Sequence, residues 1–179
     1  MRIEDRYLVL QCRKGSRDAL RRIYEKYRDY VVVVAVTLSH DPHLAEDAAQ
    51  DTFVAFAKNV ATFRLTGSLR AYLAACVANR VRDLLRTRRR SWACLPDDLS
   101  VVSEEPGLTI TANEELERLS GALATLPEEQ REVIVLRVHG RLRFRAIATL
   151  QNTSVNTVKG RYRYGIRKLR SILDGGDLP

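Results

Sequence analysis

Val155, Val158, Tyr162, Ile166, Leu169 and Leu173 recur three or four residues apart. That spacing places side chains on one face of an α-helix and would scatter them over both faces of a strand. Ser154 stands just ahead of the run, where a hydroxyl can cap the first turn. Lys159, Arg161, Arg163, Arg167, Lys168 and Arg170 project elsewhere, and no acid interrupts them before Asp174. The segment therefore predicts a capped helix with one apolar face and one cationic face. It can be stable only against an apolar surface supplied by other helices.

The same period runs through the rest of the chain. It predicts helices from Leu8 to Gly15 and from Ser16 to Leu38, with Ser16 or Asp18 near the second start. Pro42 interrupts, and an amphipathic pattern resumes from Leu44 to Asn59. Thr62 to Ser68 reads as a loop, and Leu69 to Arg90 as a helix with a stripe of Leu69, Leu73, Cys76, Val77 and Leu84. Pro96, Pro106, Gly107 and a cluster of Asp, Glu and Ser mark Ser91 to Asn113 as a polar, acidic linker. Helical spacing returns at Glu114 to Leu126. Pro127, Glu128 and Glu129 suit the opening of a further helix, which ends near His139 and Gly140. A short helix from Leu142 to Leu150 and a turn at Gln151 to Thr153 lead into the basic helix. No strand pattern of any length interrupts this. The expected fold is all-α: two small helical domains joined by an acidic linker, the C-terminal one a helix-turn-helix. The boundaries fall at 1–90, 91–113 and 114–175, with a frayed tail at 176–179.

Composition narrows the partners. Thirty Lys and Arg against 22 acids give a formal charge of +8, which favours a polyanion. Cys12, Cys76 and Cys94 are odd in number and widely spaced, so neither a disulfide framework nor a zinc ribbon is expected. Cys76, inside an apolar run, reads as a small core residue. The charged N-terminus lacks the apolar stretch of a signal peptide, and Val31 to Leu38 is too short to span a bilayer. A reduced, cytoplasmic protein is expected, without cofactor or small-molecule substrate.

Three constellations carry chemistry. In the first, Phe144, Ile147 and Ala148 turn inward, Asn152 tolerates the left-handed backbone of a tight turn, and the basic helix follows. This is the layout of a helix-turn-helix, whose second helix enters the major groove. Asn156, Thr157, Lys159, Gly160 and Arg163 then reach base edges, while Arg161, Arg167, Lys168 and Arg170 suit phosphates. A solvated basic face is the plainer alternative. In the second, Asn79, Arg82 and Arg86 share one polar face, extended by Arg88, Arg89 and Arg90. An amide beside phosphate-reaching guanidiniums fits nucleic acid, and equally fits a solvated face. In the third, Glu46, Asp47, Gln50 and Asp51 crowd opposite Leu44, Ala48, Phe53 and Phe56. This is a candidate docking face for a basic protein, or a helix start enriched in acids by its dipole. Metal binding by His40, His43 and Asp47, in a small helical enzyme, is a further class. No nucleophile elbow or phosphate-binding glycine loop is present, so no catalytic residue is assigned.

Taken together and in order, three motifs resemble bacterial RNA polymerase sigma factors of the small extracytoplasmic-function type. The run Leu44-Ala-Glu-Asp-Ala-Ala-Gln-Asp-Thr-Phe-Val-Ala-Phe is similar to their core-gripping helix. The run Gly67 to Arg86 is similar to their helix for the -10 promoter element. Leu126-Pro-Glu-Glu-Gln-Arg-Glu-Val-Ile-Val-Leu-Arg with its helix-turn-helix is similar to their -35 domain. The resemblance implies that Glu46, Asp47, Gln50 and Asp51 face core RNA polymerase. It implies that Phe63, Arg64, Ser68 and Tyr72 receive an unstacked base, and that Asn79, Arg82 and Arg86 lie along the -10 strand. Residues Asn156 to Arg163 would read -35 duplex, and the linker would run towards the RNA exit path. An anti-sigma partner is a further implication. Tyr72 stands where the family usually has Trp, Gln151-Asn152 where Leu-Gly is common, Gly160 where Ser is common, and Arg145 where acids are frequent. The competing reading is a stand-alone helix-turn-helix regulator that binds DNA without polymerase.

Overall fold

A computed structural model describes residues 3–93 and 114–174, with side chains described for 3–90 and 118–174. Among the described residues there are eight helices and no strand: α1 (Ile3–Arg13), α2 (Arg17–Ser39), α3 (Pro42–Asn59), α4 (Leu69–Ala93), α5 (Glu114–Ala124), α6 (Glu128–Val138), α7 (Phe144–Leu150) and α8 (Val155–Leu173). No helix among them is long and apolar enough to cross a membrane. The expected linker falls mostly at 94–113, and the expected tail at 176–179; both lie outside the described residues.

Several helix ends differ from the sequence reading, each for a local reason. α1 starts at Ile3, five residues before the expected Leu8, because Asp5 has a buried role. Its carboxylate is 3% exposed and accepts from the Tyr27 hydroxyl at 2.9 Å and Lys26 Nζ at 2.8 Å. A buried acid so partnered costs little and ties α1 to α2. Gly15, at φ 89°, makes the left-handed turn after α1, and Ser16 caps α2 by accepting from the Ala19 N–H. Pro42 begins α3 rather than delaying it: Asp41 caps the helix, accepting from the N–H groups of His43 and Leu44 at 3.0 Å. A proline is well suited to that first position, where its missing N–H has no helical partner to lose. α4 continues to Ala93, three residues into the expected linker.

α2 is the hub of the N-terminal half, packing against α1, α3 and α4. Ile23, Val31, Val34 and Ala35 are at most 1% exposed along it. α3 faces it with Ala45, Ala48 and Ala49, small residues that let two helix backbones approach closely, and adds Phe53 and Phe56. α4 supplies Leu69, Leu73, Val77 and Val81. Burying each Leu or Phe of this kind is worth about 1.5–3 kcal/mol. Cys76 is not among them; it is half-buried, and of the two described cysteines the buried one is Cys12.

The two halves share a core. Residues Arg131 to Leu136 of α6 are all buried, an all-round burial expected of a helix packed on two sides. Val133, Val135 and Leu136 join the cluster built on α2 to α4, together with Leu142, Ile147, Ala148 and Val158. Ile134 joins a second cluster of Ala122, Leu123, Leu126 and Leu169. At the seam Gly140 lies so close that an added Cβ would meet the Leu136 carbonyl oxygen at 2.6 Å and the Ala74 Cβ at 3.3 Å. The Tyr30 hydroxyl donates to the His139 carbonyl at 3.2 Å across the same seam.

Candidate nucleic-acid interface

α7, its turn and α8 form the expected helix-turn-helix. Asn152 has φ 48°, the left-handed turn its short polar side chain tolerates. Ser154 caps α8 by accepting from the Thr157 N–H at 3.0 Å. Val158 and Leu169 are buried, and Phe144 meets Tyr162 edge-on at 5.4 Å, fixing α7 on α8. Asn156, Thr157, Lys159, Arg163 and Arg167 are exposed. A Cβ on Gly160 would have nothing within 4 Å, so no neighbour among the described residues requires a glycine there. The tighter glycine on α8 is Gly165, where a Cβ would meet Ile134 Cδ1 at 2.8 Å and the end of that side chain would have to shift.

Two cations assigned to phosphates from sequence are engaged elsewhere. Arg161 is half-buried and donates to Gln151 Oε1 at 2.7 Å; Lys168 donates to the Thr125 carbonyl at 2.9 Å. In return, Arg141, Arg143 and Arg145 stand exposed at the head of α7 and extend the cationic surface. The Arg-Leu-Arg-Phe-Arg alternation was the available signal for them.

The α4 face is arranged differently. Asn79 and Arg86 are exposed, but Arg86 pairs with Asp83 at 3.1 Å. Arg82 is turned onto the C-terminal half: its guanidinium donates to Asn79 Oδ1 at 3.1 Å, to the Leu150 carbonyl at 3.1 Å and to the Glu132 carboxylate. Farther along, Arg89 pairs with Glu128, and Arg88 with Asp41 at 2.7 Å. Glu132 and Gln151 were not singled out as partners from sequence. A lone acid beside the apolar run Val133 to Leu136 was the clue, since a buried carboxylate needs a cation.

Before α4, Phe63 and Tyr72 lie 4.5 Å apart, and Phe63 meets Phe56 at 5.5 Å. Burial, with the Cys76 contact adding to it, pushes the Tyr72 phenol up to about 12, so it stays neutral. Arg64 and Ser68 are exposed beside this aromatic group. On α3, Asp47, Gln50 and Asp51 are exposed and Glu46 half-buried, over buried Ala48, Phe53 and Phe56. Glu46 pairs with Arg28 at 2.9 Å and Asp51 with Arg80 at 2.7 Å, both at sites open to solvent.

The metal reading does not hold. His40 is held as the C-cap of α2 with φ 55°, and among the described residues no three His, Cys, Asp or Glu, His40, His43 and Asp47 included, gather as a metal site.

A helical protein with an open, capped recognition helix and a second basic helix is defined as a DNA-binding protein of the helix-turn-helix kind. Residues 23–91 match sigma-70 region 2 and residues 116–169 match sigma-70 region 4, together more than half of the chain. The chain belongs to the sigma-70 family of promoter-directing factors, in its extracytoplasmic-function group. It is 26% identical over 186 residues to the ECF RNA polymerase sigma factor SigW of Bacillus subtilis, covering 92% of this chain and 94% of that one. It is 29% identical over 180 residues to the RNA polymerase sigma factor CnrH of Cupriavidus metallidurans, covering 95% and 94%. Among solved structures, CnrH in complex with the cytosolic domain of CnrY matches with a TM-score of 0.67 and 27% identity, over 97% of this chain and 99% of that one. The sigma factor RpoE in complex with the anti-sigma factor NepR, from Bartonella quintana, shares the fold at 20% identity with a TM-score of 0.67, over 86% and 96%.

Proposed function

We propose that the chain binds core RNA polymerase and directs initiation by reading a promoter at two points. The observation that carries this is the open, Ser154-capped basic helix α8, set behind the Asn152 turn on a chain that also presents the α4 face. In this reading Asn156, Thr157, Lys159, Gly160 and Arg163 meet -35 base edges, with Arg161 and Arg167 on phosphates. The aromatic group of Phe63 and Tyr72, with Arg64 and Ser68, receives an unstacked -10 base, and Asn79, Arg82 and Arg86 follow the strand. Unstacking costs a few kcal/mol per step, offset by stacking and backbone contacts. Glu46, Asp47, Gln50 and Asp51 dock on polymerase, which supplies the chemistry; the chain has no catalysis, cofactor or small-molecule substrate of its own. The working units are 1–90 and 114–175, joined through 91–113, with a tail at 176–179, and they act in the cytoplasm. An anti-sigma protein is a second partner, since relatives of the same fold are solved with CnrY and NepR.

The test is in vitro transcription with purified core polymerase on fragmented genomic DNA. The expected result is initiation from a subset of fragments that share two upstream sequence blocks. Tight duplex binding by the chain without association with core polymerase would instead establish the stand-alone regulator. Asp47→Arg is the clean variant of the docking face, because Asp51 also serves Arg80. Reversing that charge lowers core affinity on the order of tenfold or more, measured by titration against labelled core, and leaves duplex binding unchanged.

A further inference from the structure

Arg82 joins a chain of contacts that connects both DNA-facing helices. Its Nη2 donates to one oxygen of Glu132; the other oxygen accepts from Gln151 Nε2 at 2.9 Å. The same Gln151 nitrogen also donates to the Glu129 carbonyl at 3.1 Å, and Gln151 Oε1 accepts from Arg161 at 2.7 Å. Arg82 and Arg89 sit seven residues apart on one face of α4, and meet Glu132 and Glu128, four apart on α6. Glu132 is only 9% exposed, and Arg82 and Gln151 between them occupy both of its carboxylate oxygens. A carboxylate and a carbonyl oxygen offer Arg82 the same acceptors as a DNA phosphate; each N–H serves one acceptor at a time, and Glu132, Asn79 and Leu150 take three of its five donors.

We propose that this closed arrangement is a self-masked state. Glu132 and the Leu150 carbonyl stand in for the -10 strand on Arg82, and Gln151 couples that contact to the recognition helix. When Arg161 turns to a phosphate of -35 duplex, Gln151 loses its acceptor contact, its hold on Glu132 weakens, and Arg82 is released. Duplex binding at α8 therefore promotes strand binding at α4, and by linkage the reverse holds. This rests on the assignment of Arg82 to the -10 strand.

The experiment uses the full chain and two probes from a promoter that it selects with core polymerase: the labelled non-template -10 strand and unlabelled -35 duplex. Glu132→Gln keeps the side-chain volume and is expected to bind the strand on the order of tenfold more tightly than wild type. Adding duplex should tighten strand binding by wild type and leave Gln151→Ala unchanged. Circular dichroism melting confirms that each variant is folded. If Glu132→Gln binds the strand no better than wild type while Arg82→Ala binds it worse, masking is overturned and promoter reading stands. Duplex enhancement retained in Gln151→Ala overturns the relay. If Arg82→Ala binds the strand as wild type does, the strand assignment falls, and masking with it.

Discussion

α4 and α8 are both long basic helices with an amide near a row of arginines, yet they present those groups in opposite ways. On α8 the polar face from Asn156 to Arg163 is largely open, with only Arg161 drawn back onto Gln151. On α4 the central cation, Arg82, is folded onto Glu132 and Leu150 of the other half. The difference arises in α6, whose residues Arg131 to Leu136 are all buried and which brings Glu128 and Glu132 to α4 while its apolar residues fill both cores. A basic residue on a helix is thus available only when no neighbouring element offers it an acceptor.

The largest expected effect breaks this contrast directly. Arg82→Glu sets two carboxylates against each other at the seam. It should lower unfolding stability by about 2 kcal/mol, less than for a fully buried pair because Arg82 keeps 40% of its side chain exposed. Arg163→Glu, on the open face, should stay within about 0.5 kcal/mol of wild type in the same urea titration. Equal losses would show that the two faces do not differ. Next in size, Lys159→Ala or Arg163→Ala should weaken binding to -35 duplex by about 1–3 kcal/mol where the residue reads a base, measured by fluorescence anisotropy. An unchanged promoter profile in both variants contradicts the α8 assignment.

Two glycines sharpen the comparison further. Gly140→Ala drives a methyl against the Leu136 carbonyl and Ala74, and should destabilise the seam by about 1–3 kcal/mol. Gly160→Ala meets open space and should instead raise helix stability by up to about 1 kcal/mol. A loss of duplex affinity in that stabilised variant would identify the glycine as room for DNA. The last effect is a pH dependence, confined to acid conditions. Burial, with the nearby Arg131 charge, lowers the His40 imidazole to about 4 from an ordinary value near 6.5. The unfolded chain therefore takes up this proton first as pH falls. The contribution is intact above about 6.5 and is lost progressively down to about 4. His40→Gln should flatten that part of the stability curve, and an unchanged slope would remove His40 from the seam's energetics.

The helical periods made most of this fold readable. The Val155 to Leu173 stripe, the Ser154 cap and the Asn152 turn all follow from local rules, so α8 was expected as it stands. Pro42 misled because a proline both stops and starts helices, and the cap that decides between them, Asp41, lies one residue upstream. Cys76 misled because an apolar run does not say how deep each position lies. The seam was not legible. Glu132 and Arg82 are 50 residues apart, and only the packing of α6 on α2 and α4 brings them together. That packing decides which of the expected DNA contacts are free.

The central claim is that one chain reads a promoter at two separate points with two unlike helices. It is tested most directly by photo-cross-linking in the complex with core polymerase and promoter DNA, with p-benzoylphenylalanine replacing Asn79 on α4 or Asn156 on α8. The account predicts that position 79 cross-links to the non-template strand of the -10 element and position 156 to duplex at the -35 element. Cross-linking of both positions to one duplex site, or none from position 79, would contradict it.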